Sequence, residues 1–121
     1  MTTNRSIKWV NLTRHYINVV REDNSVESIP SSGTVARVES WQTIVGNVNG
    51  VDLVKTEFGT VINAPPSEPD TMYITSSLVA RALSDRTDIV APNTHPESVI
   101  TDHNGRKVAV RGFQVFYGIG S

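Results

Sequence analysis

The chain has 121 residues and a formal net charge of −1, from 11 Lys and Arg against 12 Asp and Glu; this length suits one domain, 1–121, around a single core. Near-neutrality excludes a dedicated binder of duplex nucleic acid, whose affinity comes from neutralising phosphates with a basic face. Seventeen valines, nine isoleucines and twelve threonines against four leucines exclude a helical bundle, because β-branched side chains lose χ1 freedom in a helix and pack well on a pleated sheet.

The first periodic stretch, Ile7 to Val20, alternates around Trp9, Leu12 and Ile17 and reads as one strand with a kink. Glu22-Asp23-Asn24-Ser25 is a polar turn, and Val26 to Ile29 can pair back. Pro30-Ser31-Ser32-Gly33 is a second turn, since proline sets φ and glycine permits φ > 0. Thr34 to Val38 then reads as a short strand with Arg37 on one face.

Between Thr43 and Phe58, Asn49-Gly50 separates two apolar runs by two residues, the signature of a type I′ hairpin. That register sets Val48 opposite Val51 and Val45 opposite Val54. Gly59 allows a bend before the extended piece Thr60 to Ile62. The three prolines of Ala64–Asp70 remove backbone donors and predict a connector.

Met72 to Thr75 reads as a buried strand running into a helix near 77–84, the one helix expected, with Ser76 or Ser77 as N-cap and Leu78, Val79 and Leu83 facing inward. Asp85-Arg86-Thr87-Asp88 is a polar turn, Ile89-Val90-Ala91 a strand, and Asn93 to Ser98 a loop. Asn104-Gly105 predicts a second hairpin that brings Asp102 opposite Lys107. Phe113 to Tyr117 closes the sheet, and Gly118 to Ser121 is a tail. The expected fold is mainly β (α+β): a small mixed sheet or partly closed β-barrel with two Asn-Gly hairpins and one short helix.

With no cysteine, disulfide staples, thiolate metal sites and a cysteine nucleophile are excluded together. His15, His95 and His103 show no metal-ligand spacing, and no phosphate-binding glycine loop is present. No cofactor, resident metal or catalytic group is expected; a dispersed site pairing His15 or His95 with Asp88 is the enzymatic alternative. No run approaches the ~18 apolar residues of a membrane helix, and no apolar signal core follows Met1-Thr2-Thr3-Asn4-Arg5. A soluble, unexported, cytoplasmic protein is expected.

Ser76 and Ser77 stand where a strand enters a helix, suiting them to an N-cap or to binding an anion at free amides. Arg86 can cap helix carbonyls, pair with Asp85 or Asp88, or serve as an anchor held by Asp88. Arg111, beside Gly112, is an edge-strand arginine or a second guanidinium facing a ligand.

Four segments, Asn11-Leu12-Thr13-Arg14-His15, Pro30 to Val38, Tyr73 to Ala80 and Asp85 to Pro92, together resemble a family of small uncharacterised proteins encoded by bacteriophages and by bacteria carrying prophages. The resemblance runs from about Val10 to Phe113, and the chain departs from it at Arg14, where the family pattern has proline. It implies a non-enzymatic accessory protein acting in the host cytoplasm. The leading expectation is sequestration of a small anionic ligand, such as a nucleotide-like immune signal, by a homo-oligomer. Guanidinium groups would hold phosphate and polar side chains the sugar, which singles out Asn11, Thr13, His15, Arg37, Ser76, Ser77, Arg86, Asp88 and Arg111. Trp9, Trp41, Tyr73 and Phe113 are candidates to stack on a base. The alternative is a protein-binding or structural module docking on a host or phage protein, with Trp9 and Trp41 as anchors.

Overall fold

The computed structural model describes residues 6–117; the expected tail, Gly118 to Ser121, lies outside them. The described chain is mainly β, with one short helix, and its strands form three separate sheets rather than a closed barrel. Strands β1 (Lys8–Asn11), β6 (Thr71–Ile74), β7 (Ile89–Pro92) and β10 (Phe113–Gln114) make the central sheet. Its first three strands are parallel and β10 is antiparallel to β7. The second sheet orders β3 (Val26–Ile29), β2 (Ile17–Val20), β9 (Lys107–Val110) and β8 (Val99–Thr101). The third is a two-stranded ribbon, β4 (Arg37–Val48) and β5 (Val51–Ile62).

Alternation along the central strands explains the layering. Tyr73, Ile89 and Ala91 pack with Leu12, Ala36 and the helical Val79 and Ala80. Their neighbours Ile74 and Val90 turn the other way and pack with Val19 and Ile29 of the second sheet. A sheet covered on both faces suits the parallel β6 and β7, whose sequences are apolar almost throughout. The order is helix, central sheet, second sheet. Helix α1 (Ser77–Ala82) joins β6 to β7, with Ser76 as N-cap accepting from the Val79 amide. It stops short of the expected 77–84, and Leu78 is 44% exposed rather than inward-facing.

Residues 7–20 form two strands in different sheets, not one kinked strand. The break follows from Asn11: its side chain bonds the backbone of Thr13 and His15, in place of a ladder partner. Thr34 to Ala36 are not strand; extended pairing starts at Arg37 and runs through twelve residues.

The Asn49-Gly50 turn has φ of 53° and 82° at its two central residues, as a type I′ hairpin requires. Val48 faces Val51 as expected, but Val54 faces Ile44. Val45 is the extra residue of a β-bulge, and a second irregularity, between Val38 and Ser40, lets β5 continue past Gly59 to Ile62. In the second hairpin only Gly105 takes positive φ (79°), and Thr101, not Asp102, faces Lys107. Asp102 instead closes the turn, its carboxylate accepting from the Asn104 and Arg106 amides.

Candidate functional site

The polar residues singled out in the sequence occupy five places. Asn11 is 1% exposed and commits its whole side chain to the interior of the fold. Its amide donates to the His15 carbonyl at 2.8 Å and the Ile29 carbonyl at 2.9 Å, and its oxygen accepts from the Thr13 amide and hydroxyl. The Asn11 carbonyl takes the Ser32 amide, and Ser31 donates to the Thr13 carbonyl. The Asn-Leu-Thr and Pro-Ser-Ser-Gly segments thus meet and stitch the central sheet to the second one. The His15 ring lies outside this network on an exposed residue.

Arg86 and Asp88 form the second place. The guanidinium makes two parallel bonds to the carboxylate, at 2.9 and 2.8 Å, and a third to the Pro65 carbonyl at 2.8 Å. It also lies 5.5 Å from the centre of the Tyr73 ring, whose hydroxyl donates to the Pro66 carbonyl. Both charged side chains are largely buried, at 19% and 15% exposure. The Arg86 hydrogen bonds hold the Asp88 carboxyl below the usual carboxylate range, while burial opposes them. Burial raises the Tyr73 phenol, helped by the Glu68 and Asp88 charges. This cluster is the anchor reading of Arg86, and what it anchors is the proline connector.

Ser76 is engaged as the helix cap, and the Ser77 hydroxyl accepts from Gln114, which also donates to the Pro92 carbonyl. Arg37 stands at the base of the ribbon, exposed and with no side-chain partner among the described residues. Arg111 is likewise exposed and without a side-chain partner among them.

Arg111 does border a cleft of about 410 Å³ with Trp9, Phe113, Val19, Val20, Arg21, Glu22 and Glu27. The Trp9 and Phe113 rings meet there with centroids 4.9 Å apart and planes tilted by 43°. Two aromatic faces beside a guanidinium can stack a planar group and pair an anion. Arg21 is already paired with Glu27, so Arg111 supplies the uncommitted positive charge. Sequence reasoning named Trp9, Phe113 and Arg111 singly; nothing local in the sequence places residues a hundred positions apart together.

The ribbon is the other candidate surface. Trp41, Ile44, Val45, Val48, Val51, Leu53, Val54 and Phe58 are between 46% and 64% exposed. A twelve-residue strand spans about 40 Å, so most of β4 and β5 stands clear of the layered body. A two-stranded hairpin is marginal in water without cover on a face, and exposed apolar side chains on both faces, Ile44, Val54 and Phe58 on one and Trp41, Val51 and Leu53 on the other, make the ribbon a candidate interaction surface. Trp41, an expected anchor, donates its indole N–H to Glu57 at 3.2 Å and lies over Gly59, where an added Cβ would come within 3.1 Å of the ring. Gly59→Ala is therefore expected to lift the ring and break the bond to Glu57. In a Trp9→Phe background, where Trp41 alone reports, its fluorescence should shift; an unchanged spectrum would count against this packing.

No protein-family model, no curated protein and no solved structure matches this chain. Among the described residues, no helix is long and apolar enough to cross a membrane, and no three His, Asp or Glu side chains cluster as metal ligands.

Proposed function

We propose that the chain is a non-catalytic binding protein, an accessory factor of the phage type its motifs resemble, which docks on another protein through the β4–β5 ribbon in the host cytoplasm. The observation that carries this reading is the eight half-exposed apolar side chains on a ribbon that little else covers. The layered body is the scaffold that positions it. Photo-crosslinkers placed at Val48 and Val51, with controls at Tyr16 and Val115 on the body, test it in cells. Crosslinks confined to the ribbon and converging on one stoichiometric protein are expected. Crosslinks from the body positions alone overturn the reading.

The cleft favours a second reading: capture of a small anionic, nucleotide-like ligand by stacking on Trp9 and Phe113 and pairing with Arg111. Calorimetric titration with cyclic and ADP-ribose-type nucleotides is expected to show binding that Arg111→Ala weakens at least tenfold. No heat from the whole panel at high micromolar concentration removes it.

A further inference from the structure

The aromatic cleft holds as many acids as bases. Arg21, Glu22, Glu27 and Arg111 all border it, two guanidinium groups against two carboxylates. Arg21 spends its guanidinium on Glu27 and on the Ser25 hydroxyl. Glu22 and Arg111 remain, both exposed and neither with a side-chain partner among the described residues. One free acceptor and one free cation thus border the same cleft as the Trp9 and Phe113 rings. Those rings come from β1 and β10, the two edge strands of the central sheet, and their centroids lie 4.9 Å apart. They leave no slot between them, so a planar group lies against the pair rather than inside it.

We infer that the cleft takes a guanine mononucleotide, with the base on Trp9 and Phe113, its Watson–Crick edge on the Glu22 carboxylate and its single phosphate on Arg111. The inference rests on the nucleotide reading of the cleft and names the base and the charge. An ionised carboxylate only accepts, through two oxygens side by side. Guanine offers two donors side by side, the ring N1–H and the exocyclic amine, and so uses both oxygens. Adenine and cytosine set an amine beside a ring nitrogen whose lone pair faces the second oxygen, and uracil has one N–H between two carbonyls. Each of these keeps a repulsive contact that guanine avoids, and such contacts are how a polar site discriminates. The charge balance sets the other end of the ligand. One phosphate meets Arg111, whereas every further phosphate adds negative charge near Glu22 and Glu27 with no cation left to receive it. The volume also fits. At about 410 Å³ the cleft is near the lower end for ligand pockets, about 300–1,000 Å³, and suits one nucleotide rather than two.

Calorimetric titration of the full chain with 5′-GMP, 5′-AMP and GTP is the test. The monophosphate 5′-GMP is expected to bind about tenfold more tightly than 5′-AMP, and GTP no more tightly than 5′-GMP. Glu22→Gln should bring 5′-GMP down to the level of 5′-AMP, because the amide puts a donor where guanine brings one, and should leave 5′-AMP within about threefold. Arg111→Ala should weaken both monophosphates about tenfold. Both positions are exposed, and circular dichroism with the melting temperature establishes that each variant is folded. Equal affinity for 5′-GMP and 5′-AMP, lost in Arg111→Ala, overturns the guanine assignment while the nucleotide reading stands. A preference for 5′-GMP that survives Glu22→Gln overturns the assignment as well, and GTP binding well above 5′-GMP overturns the single phosphate. No heat from these three, nor from the cyclic and ADP-ribose-type nucleotides, removes both readings of the cleft.

Discussion

Replacing Asn11 with aspartate is expected to destabilise the protein by about 3–5 kcal/mol. The side-chain amide is saturated: two donors reach the His15 and Ile29 carbonyls, and the oxygen takes both donors of Thr13. A carboxylate keeps the acceptor half of this pattern and loses the donor half. Its second oxygen then faces two carbonyl oxygens at a position that is 1% exposed. Protonation restores at most one donor, so neither charge state recovers the wild-type network. Since a domain of this size has about 5–15 kcal/mol of total stability, the substitution removes a large share of it. Urea unfolding measures this as a lower midpoint at unchanged slope. Thr13→Ala, which removes only a peripheral hydroxyl, should cost about 1 kcal/mol. An Asn11→Asp midpoint equal to wild type would refute the stitching role.

Arg86→Ala is the second large effect, about 3 kcal/mol, or a melting temperature lower by roughly 10 °C. The substitution strands the Asp88 carboxylate and frees the Pro65 carbonyl together. Arg86→Lys should not restore stability, because an ammonium cannot span two carboxylate oxygens and a carbonyl as the planar fork does. The pair also sets a pH dependence. Asp88 titrates below its ordinary value in the folded state. Its contribution is therefore present above the unfolded carboxylate pKa, about 3.9, and is lost as pH falls through the lower folded value. The stability difference between wild type and Asp88→Asn should hold steady from neutral pH to about 5 and shrink below about 4. A difference that persists unchanged to about pH 2 would contradict this coupling.

Elements built from neighbouring residues were legible in the sequence. Asn49-Gly50 determined its turn because two positive φ values suit asparagine followed by glycine, and the strand–helix–strand run from Met72 to Ala91 follows from apolar patterning and the Ser76 cap. The bulge at Val45 was not legible, since an extra valine in an apolar run leaves no mark on the alternation. The break at Asn11 was hidden for another reason. Its partner Ile29 lies eighteen residues away, and an asparagine among β-branched neighbours looks like any surface position until that carbonyl arrives. The Arg86–Asp88 pair was readable from its spacing, but its hold on Pro65, twenty-one residues back, was not. Of the polar residues singled out, those that the fold brings into contact bind the chain to itself; Arg111 is the one that borders the aromatic cleft.

The pairing of the two sheets has a kinetic consequence. Lys8 pairs with Thr71, and Val19 pairs with Val110, so both sheets must close loops of many tens of residues before their contacts form. Such non-local pairing slows folding, because loop-closure entropy is lost before any ladder bond compensates it. The ribbon, by contrast, needs only its own two-residue turn and can form within microseconds. A chain leaving the ribosome thus carries both strands of the ribbon while β2 still waits for β9, which follows the end of β5 at Ile62 only from Lys107 on. The order of assembly is built into the topology: the ribbon comes first, and the frame that holds it closes after it.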